Sequence, residues 1–313
     1  MLRAAFREMS PFSQLMFSIF VIIASFLAFL VVSLVVAIPV FGVDSMMNIA
    51  TADINNPQSI VVLKYFQVVQ AIGVFIVPPF ILAWLFQGEI LSYLLLNKKV
   101  NFATFLLVVL LGFAAMPVIN LTGELNSNMQ LPEWLSGVET WMKATEEKAA
   151  QLTETFLKVD GFAGLLFNIF MIAFLPAIGE ELLFRGVIQR IFTRWTKNSH
   201  WGIWITAILF SALHMQFYGF IPRMLLGALF GYLLVWSGSM WLPMAAHFVN
   251  NAVAVIGMYM IDKGTIKPEF EEIGSTSDSI YLSVISIAFV ALLLWLIKRE
   301  YKPEVRIDNK QIY

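Results

Sequence analysis

The 313-residue chain contains no cysteine. That excludes disulfides and thiolate chemistry and leaves the redox compartment open. Charge is also scarce: 13% of residues are Asp, Glu, Lys or Arg, about half of the quarter usual in soluble domains. The formal net charge is −1, so no basic surplus exists to neutralise a phosphate backbone, and nucleic acid is excluded as a partner. Histidine occurs three times. There is no internal repeat, no low-complexity tract and no His-Glu-x-x-His run. In place of these, 59% of residues are hydrophobic and the mean hydropathy is +0.78. The class is a polytopic membrane protein, all-α, built as a bundle of spanning helices.

Eight apolar runs are close to the ~20 residues needed to cross the hydrocarbon. They cover residues 15–41, part of 65–87, 103–121, 161–184, 201–217, 224–236, 240–261 and 280–297. The first is too long for a cleaved signal peptide. Pro78-Pro79 and Pro176 predict kinks, because proline removes a backbone donor and crowds the preceding turn. Ser237-Gly238-Ser239 divides what would otherwise be one overlong run. The chain therefore divides into a three-span region (1–121), a polar segment (122–160), a core (161–261), and a last loop, eighth span and basic tail (262–313). Within the polar segment, Val138, Met142, Thr145, Ala149, Leu152 and Phe156 recur at three- or four-residue steps, which predicts an amphipathic helix. Glu139–Lys143 and Glu154–Lys158 add i,i+4 pairs. Such a helix lies on the bilayer or over the bundle, or serves as a lid or docking element.

Eight spans put both termini on one side, and Lys and Arg concentrate there. By the positive-inside rule the termini and the basic cluster Arg190, Arg194 and Lys197 are cytoplasmic, and 122–160 is outside. A bacterial cytoplasmic membrane is the expected location.

The chain is organised around Gly179-Glu180-Glu181-Leu182-Leu183-Phe184-Arg185. Two carboxylates and an arginine close an uncharged run, and ionisable groups there usually face a bundle interior or a wet cavity. Glu181 lies four before Arg185, the favourable orientation for a same-face ion pair. Glu180 lies five before Arg185, about 140° round the helix from it, which leaves it free for chemistry. His214 falls four residues after Phe210 in the fifth run, and His247 four residues before Asn251 in the seventh. One intramembrane histidine is readily a helix-to-helix hydrogen bond. Two histidines, an asparagine and two glutamates on three spans make a polar pocket if they converge. Glu180 and His214 then suit water activation, and His247 and Asn251 suit stabilisation of an oxyanion.

In order, Glu180-Glu181-x-x-x-Arg185, Phe210-x-x-x-His214 and His247-x-x-x-Asn251 resemble the three motifs of the CPBP family of intramembrane proteases. That family includes the type II CAAX prenyl endopeptidases, bacteriocin-processing and self-immunity proteins, and relatives of the lysostaphin-resistance protein. The resemblance covers about residues 161–261. It implies an eight-span bundle and hydrolysis of membrane-associated peptide or protein substrates. It assigns Glu180 and His214 to the water, His247 and Asn251 to the oxyanion, and Glu181, Arg185 and Phe210 to support. A zinc ion held by Glu180, His214 and His247 is the alternative to metal-free catalysis. The metal-free version is preferred, because a metal would leave only Glu181, tied to Arg185, as a spare acid. Two other functions compete: a non-catalytic scaffold of the same fold, and a proton-coupled transporter, which would call for repeated halves.

Overall fold

The computed structural model describes residues 4–44, 46 and 56–301. The stretch between the first two apolar runs, from residue 47 to 55, and the basic tail beyond Tyr301 lie outside the described residues. The described elements are all helical. Helix α1 (Pro11–Phe41) starts where the Ser10 side chain accepts the Ser13 N–H and proline occupies the first turn, a pairing that satisfies the exposed donors of a helix start. It buries Gln14, Ser18, Ser25 and Ser33 while exposing Phe20, Leu27, Val31 and Val35. Small and polar residues inside with large apolar ones outside is the pattern of a helix packed in lipid.

The second span, α2 (Pro57–Phe86), and the longest, α6 (Gly161–Thr196), carry the prolines that the sequence marks as kinks. Each takes up the missing donor through a wider, π-helical turn just upstream, Ile72–Ile76 in α2 and Ile169–Phe174 in α6. Carbonyls released there find side chains: Ser25 donates to Gly73 O, and Asn251 Nδ2 donates to Ile172 O at 3.1 Å. Lys64, expected in a loop, lies inside α2. Its ammonium donates to Phe156 O at 2.8 Å and Asn168 Oδ1 at 3.0 Å.

Helices α3 (Phe102–Ala114) and α4 (Met116–Ser127) form one apolar run bent by 41°. Helix α5 (Ser136–Leu157) is the expected amphipathic helix, with its i,i+4 ion pairs at 2.7 Å. Then come α7 (Ser199–Ala212), α8 (Phe220–Ser237), α9 (Trp241–Asp262) and α10 (Ile280–Glu300). Gly238, with φ of +62°, ends α8 where the sequence places the break.

Among the described residues six helices are long and apolar enough to cross a membrane, and the bent α3–α4 pair makes up to seven. The expected span missing from this count is the fifth run, which forms α7. It has 14 residues, about 21 Å at 1.5 Å per residue, against a hydrocarbon thickness of about 30 Å. It stops at Ala212, so His214 lies in a turn beyond it and not inside a span; Met215 there has φ of +54°. The chain then doubles back, so α7 and α8 make a tight hairpin with His214 near its tip. Close approach comes from glycine: a Cβ on Gly227 would stand 3.3 Å from Ala207 Cα. The molecule is an integral membrane helical bundle.

Candidate active site

Glu180 and Glu181 sit on α6 directly after Gly179, where α6 crosses α2. A Cβ on Gly179 would lie 2.8 Å from Phe75 Cβ, so only glycine lets the π turn of α2 back onto this stretch. A third π turn, Phe184–Ile188, follows the acids and carries Arg185. Single π turns inside α-helices occur frequently at functional sites.

Glu181 is fully buried and faces two partners. Arg185 Nη1 lies 3.0 Å from Glu181 Oε1, and His247 Nδ1 lies 2.8 Å from the same oxygen. The arginine contact is a charge pair and not a well-aligned hydrogen bond, since Nη1 and Glu181 Oε2 both lack hydrogen-bond partners. An ionised carboxylate only accepts, so the proton of a neutral His247 sits on Nδ1 and points at Glu181. His247 Nε2 then looks toward Glu180, whose Oε2 is 3.9 Å away. Arg185, Glu181, His247 and Glu180 therefore form one continuous charged row across α6 and α9.

The row is lined by aromatic rings. Phe230 stacks on the His247 ring with centroids 5.1 Å apart, and Phe210 meets it edge-on at 6.1 Å. The Arg185 guanidinium lies over Phe210 at 4.5 Å and Phe230 at 5.4 Å. Cation–π contacts of this kind are strongest where water is excluded. Arg185 Nη2 also donates to Gly227 O at 3.0 Å, and Gln189 Nε2 to Gly231 O at 3.3 Å. Two donors four residues apart on α6 thus reach two carbonyls four apart on α8, locking their register.

His214 stands at the edge of this group. Its ring meets Phe210 at 4.9 Å, its Nδ1 pairs with Phe210 O at 2.7 Å, and the residue is exposed. Among the described residues no hydrogen bond or ion pair joins it to Glu180. Asn251, one turn beyond His247, is held by Ile172 O and by Asn250, whose Nδ2 donates to Asn251 Oδ1 at 3.1 Å. A zinc ion would need Glu180, His214 and His247 about one point. Among the described residues no three His, Cys, Asp or Glu side chains are grouped so as to hold a metal ion.

Three participants escaped the reading of the sequence. Phe230 and Gln189 left a trace, since Gln189 lies one turn past Arg185 and Gly227 and Gly231 repeat that spacing. Arg223, in the first turn of α8, reads from sequence as a loop charge. It donates to the backbone and side-chain oxygens of Gln216 and lies within electrostatic reach of Glu180 and His214.

Residues 162–253 match the family model described as Type II CAAX prenyl endopeptidase Rce1-like. That segment resembles an Rce1-like domain. It contains Glu180, Glu181, Arg185, Phe210, His214, His247 and Asn251, and it runs from the start of α6 into α9. A protein of Bacillus subtilis (strain 168), described as uncharacterized protein YpbD, is 34% identical over 90 residues, covering 28% of this chain and 43% of its own. The chain thus spans less than half the length of this curated relative. No solved structure matches. Helices α1 to α5 lie outside the Rce1-like domain.

Proposed function

We propose that the protein is an intramembrane endopeptidase hydrolysing peptide bonds of membrane-associated proteins or peptides. The observation that carries this reading is the Arg185–Glu181–His247 row beside Glu180, at the centre of an Rce1-like domain. Glu180 takes a proton from water as the hydroxide forms a bond to the scissile carbonyl carbon, with His214 sharing in orienting that water. The carbonyl π electrons move onto oxygen, and His247 and Asn251 stabilise the oxyanion. Collapse of the tetrahedral intermediate breaks the C–N bond, and the Glu180 proton passes to the leaving amine.

The charged row defines the work of His247. With Nδ1–H committed to Glu181, Nε2 donates to an oxyanion only when the ring is protonated. The buried Glu181 carboxylate orients the ring through Nδ1–H, and Arg185 pairs with the same carboxylate oxygen. This is the logic by which an acid orients a catalytic histidine in hydrolases. No step passes through a metal.

The membrane is proposed to be a bacterial cytoplasmic one, with both termini on the cytoplasmic side, and the substrate class is drawn from the family that residues 162–253 match. The test is to compare membrane peptides from cells carrying the wild-type protein and the Glu180→Ala variant. Peptides that shorten only with wild type support the reading. Identical peptide profiles, with both proteins at equal abundance, would leave a non-catalytic scaffold.

A further inference from the structure

The His214 turn is the least supported part of the site by its own chain. It lies beyond α7, and its N–H reaches only back to Ser211 O. The short helical turn Phe217–Gly219 and then α8 follow. Gly219 is the residue before α8 and has no side chain with which to cap it. The first N–H groups of a helix need an outside acceptor.

That acceptor comes from α4, outside the Rce1-like domain. Asn126 is buried, at 5% exposure. Its Oδ1 accepts from Ile221 N at 2.7 Å, and its Nδ2 donates to Phe217 O at 3.1 Å. One carboxamide therefore spans the turn and caps α8 from 95 residues away. A second support comes from α5: Glu146 Oε2 accepts from Tyr218 N at 2.9 Å, and Trp141 packs on Phe217 with rings 5.3 Å apart. The far end of α5 is tied down by Lys64 and Asn168, which both donate to Phe156 O. From within the hairpin, Ser211 Oγ donates to Phe220 O and Arg223 binds Gln216. Both ends of the turn are thus held by side chains.

We infer that Asn126 is a positioning residue for His214, clipping the 217–221 segment into which its turn runs, with Glu146 as the second clip. The α4–α5 segment then sets the rate of the reaction without touching substrate. The inference rests on the peptidase reading, because a turn need be held this closely only if His214 works.

The test uses the full chain in detergent and two measurements. Hydrogen–deuterium exchange is followed across residues 213–221, and turnover is followed on a fluorogenic peptide bearing a farnesylated cysteine. Asn126→Ala should speed exchange in 213–221 and leave the melting temperature near that of wild type. It should lower kcat about 10- to 100-fold, the scale of a small misplacement of a reacting group, with KM within about twofold. Asn126→Asp keeps the acceptor for Ile221 N and loses the donor to Phe217 O, so its loss should be intermediate. Glu146→Ala should act in the same direction, and Glu147→Ala, exposed on the same helix, should match wild type. Unchanged exchange in 213–221 with Asn126→Ala would overturn the proposal, as would a rise spread over all helices or a change in KM alone. If the wild type does not turn the peptide over, the peptidase reading of this substrate fails, and the exchange measurement decides the clip by itself.

Discussion

Glu180 and Glu181 are chemically identical neighbours separated in role by one residue of helical rotation. Glu181 is enclosed between Arg185 and His247, and Glu180 keeps partial exposure, with 13% of its side-chain surface open. Breaking a buried pair leaves the remaining charge uncompensated, at about 3–5 kcal/mol. Glu181→Gln strands Arg185 and removes the carboxylate that accepts from His247 Nδ1, so it should lower the melting temperature in detergent well below that of Glu180→Gln. Equal melting of the two variants would refute the division. On an identified substrate the order should invert. Glu180→Ala, which loses the base, should fall furthest, and Asn251→Ala, which loses one oxyanion donor, should fall by about 10²–10³ in kcat. A chelator should leave the rate unchanged; loss of activity restored by zinc would replace the metal-free chemistry and leave the peptidase standing. The ion pair of Glu181 with Arg185 is legible in the sequence, because four residues fix it. Its bond to His247, 66 residues away, is not, because no local rule connects positions that far apart.

At the scale of elements, glycines and prolines decide how closely the helices of the site approach. Prolines are readable in the sequence, and the π turns just upstream of them leave carbonyls for Ser25 and Asn251. Among the glycines, Gly202 is the sharpest case. A Cβ there would stand 2.1 Å from Thr193 Oγ1, 2.9 Å from Thr193 N and 3.0 Å from Thr193 Cα, and backbone cannot step aside. At Gly186 the nearest atoms are the flexible ends of Leu94 and Met240, at 2.9 and 3.3 Å. Gly202→Ala should therefore cost about 1–3 kcal/mol, as overpacking does, and Gly186→Ala clearly less. Thermal melting of the two side by side checks the ranking, and a larger shift for Gly186→Ala would contradict it. His214 shows the opposite limit. An apolar pattern continues past Ala212 and reads as helix, yet the backbone turns there, because the hairpin with α8 and the clips from α4 and α5 are stronger than local helix preference.

For the whole molecule, the balance of Lys and Arg gives the orientation to test. The chain has no cysteine, so single cysteines report cleanly. Gln151→Cys on α5 should react with an impermeant thiol reagent applied outside intact cells, and Lys197→Cys should react only after the membrane is opened. The reverse pattern would overturn the orientation. The short α7 makes this measurement decisive, since length alone gives six or seven spans where the sequence suggests eight.

The sequence by itself determined the membrane class, the helical fold, the amphipathic α5, the break at Gly238 and the i,i+4 charge pairs, together with three motifs that resemble a protease family. All of these depend on composition or on residues within a turn or two of one another, where helical periodicity and hydropathy act directly. The tertiary structure alone decided that Glu181 is shared by Arg185 and His247, that Phe230 and Phe210 wall the row, and that Lys64 lies inside the bundle. It also decided that His214 leaves its helix for a turn that runs into the segment bonded to Asn126. Each of these is a contact between helices distant in sequence, and each forms because a buried polar group must find its partner wherever packing places one.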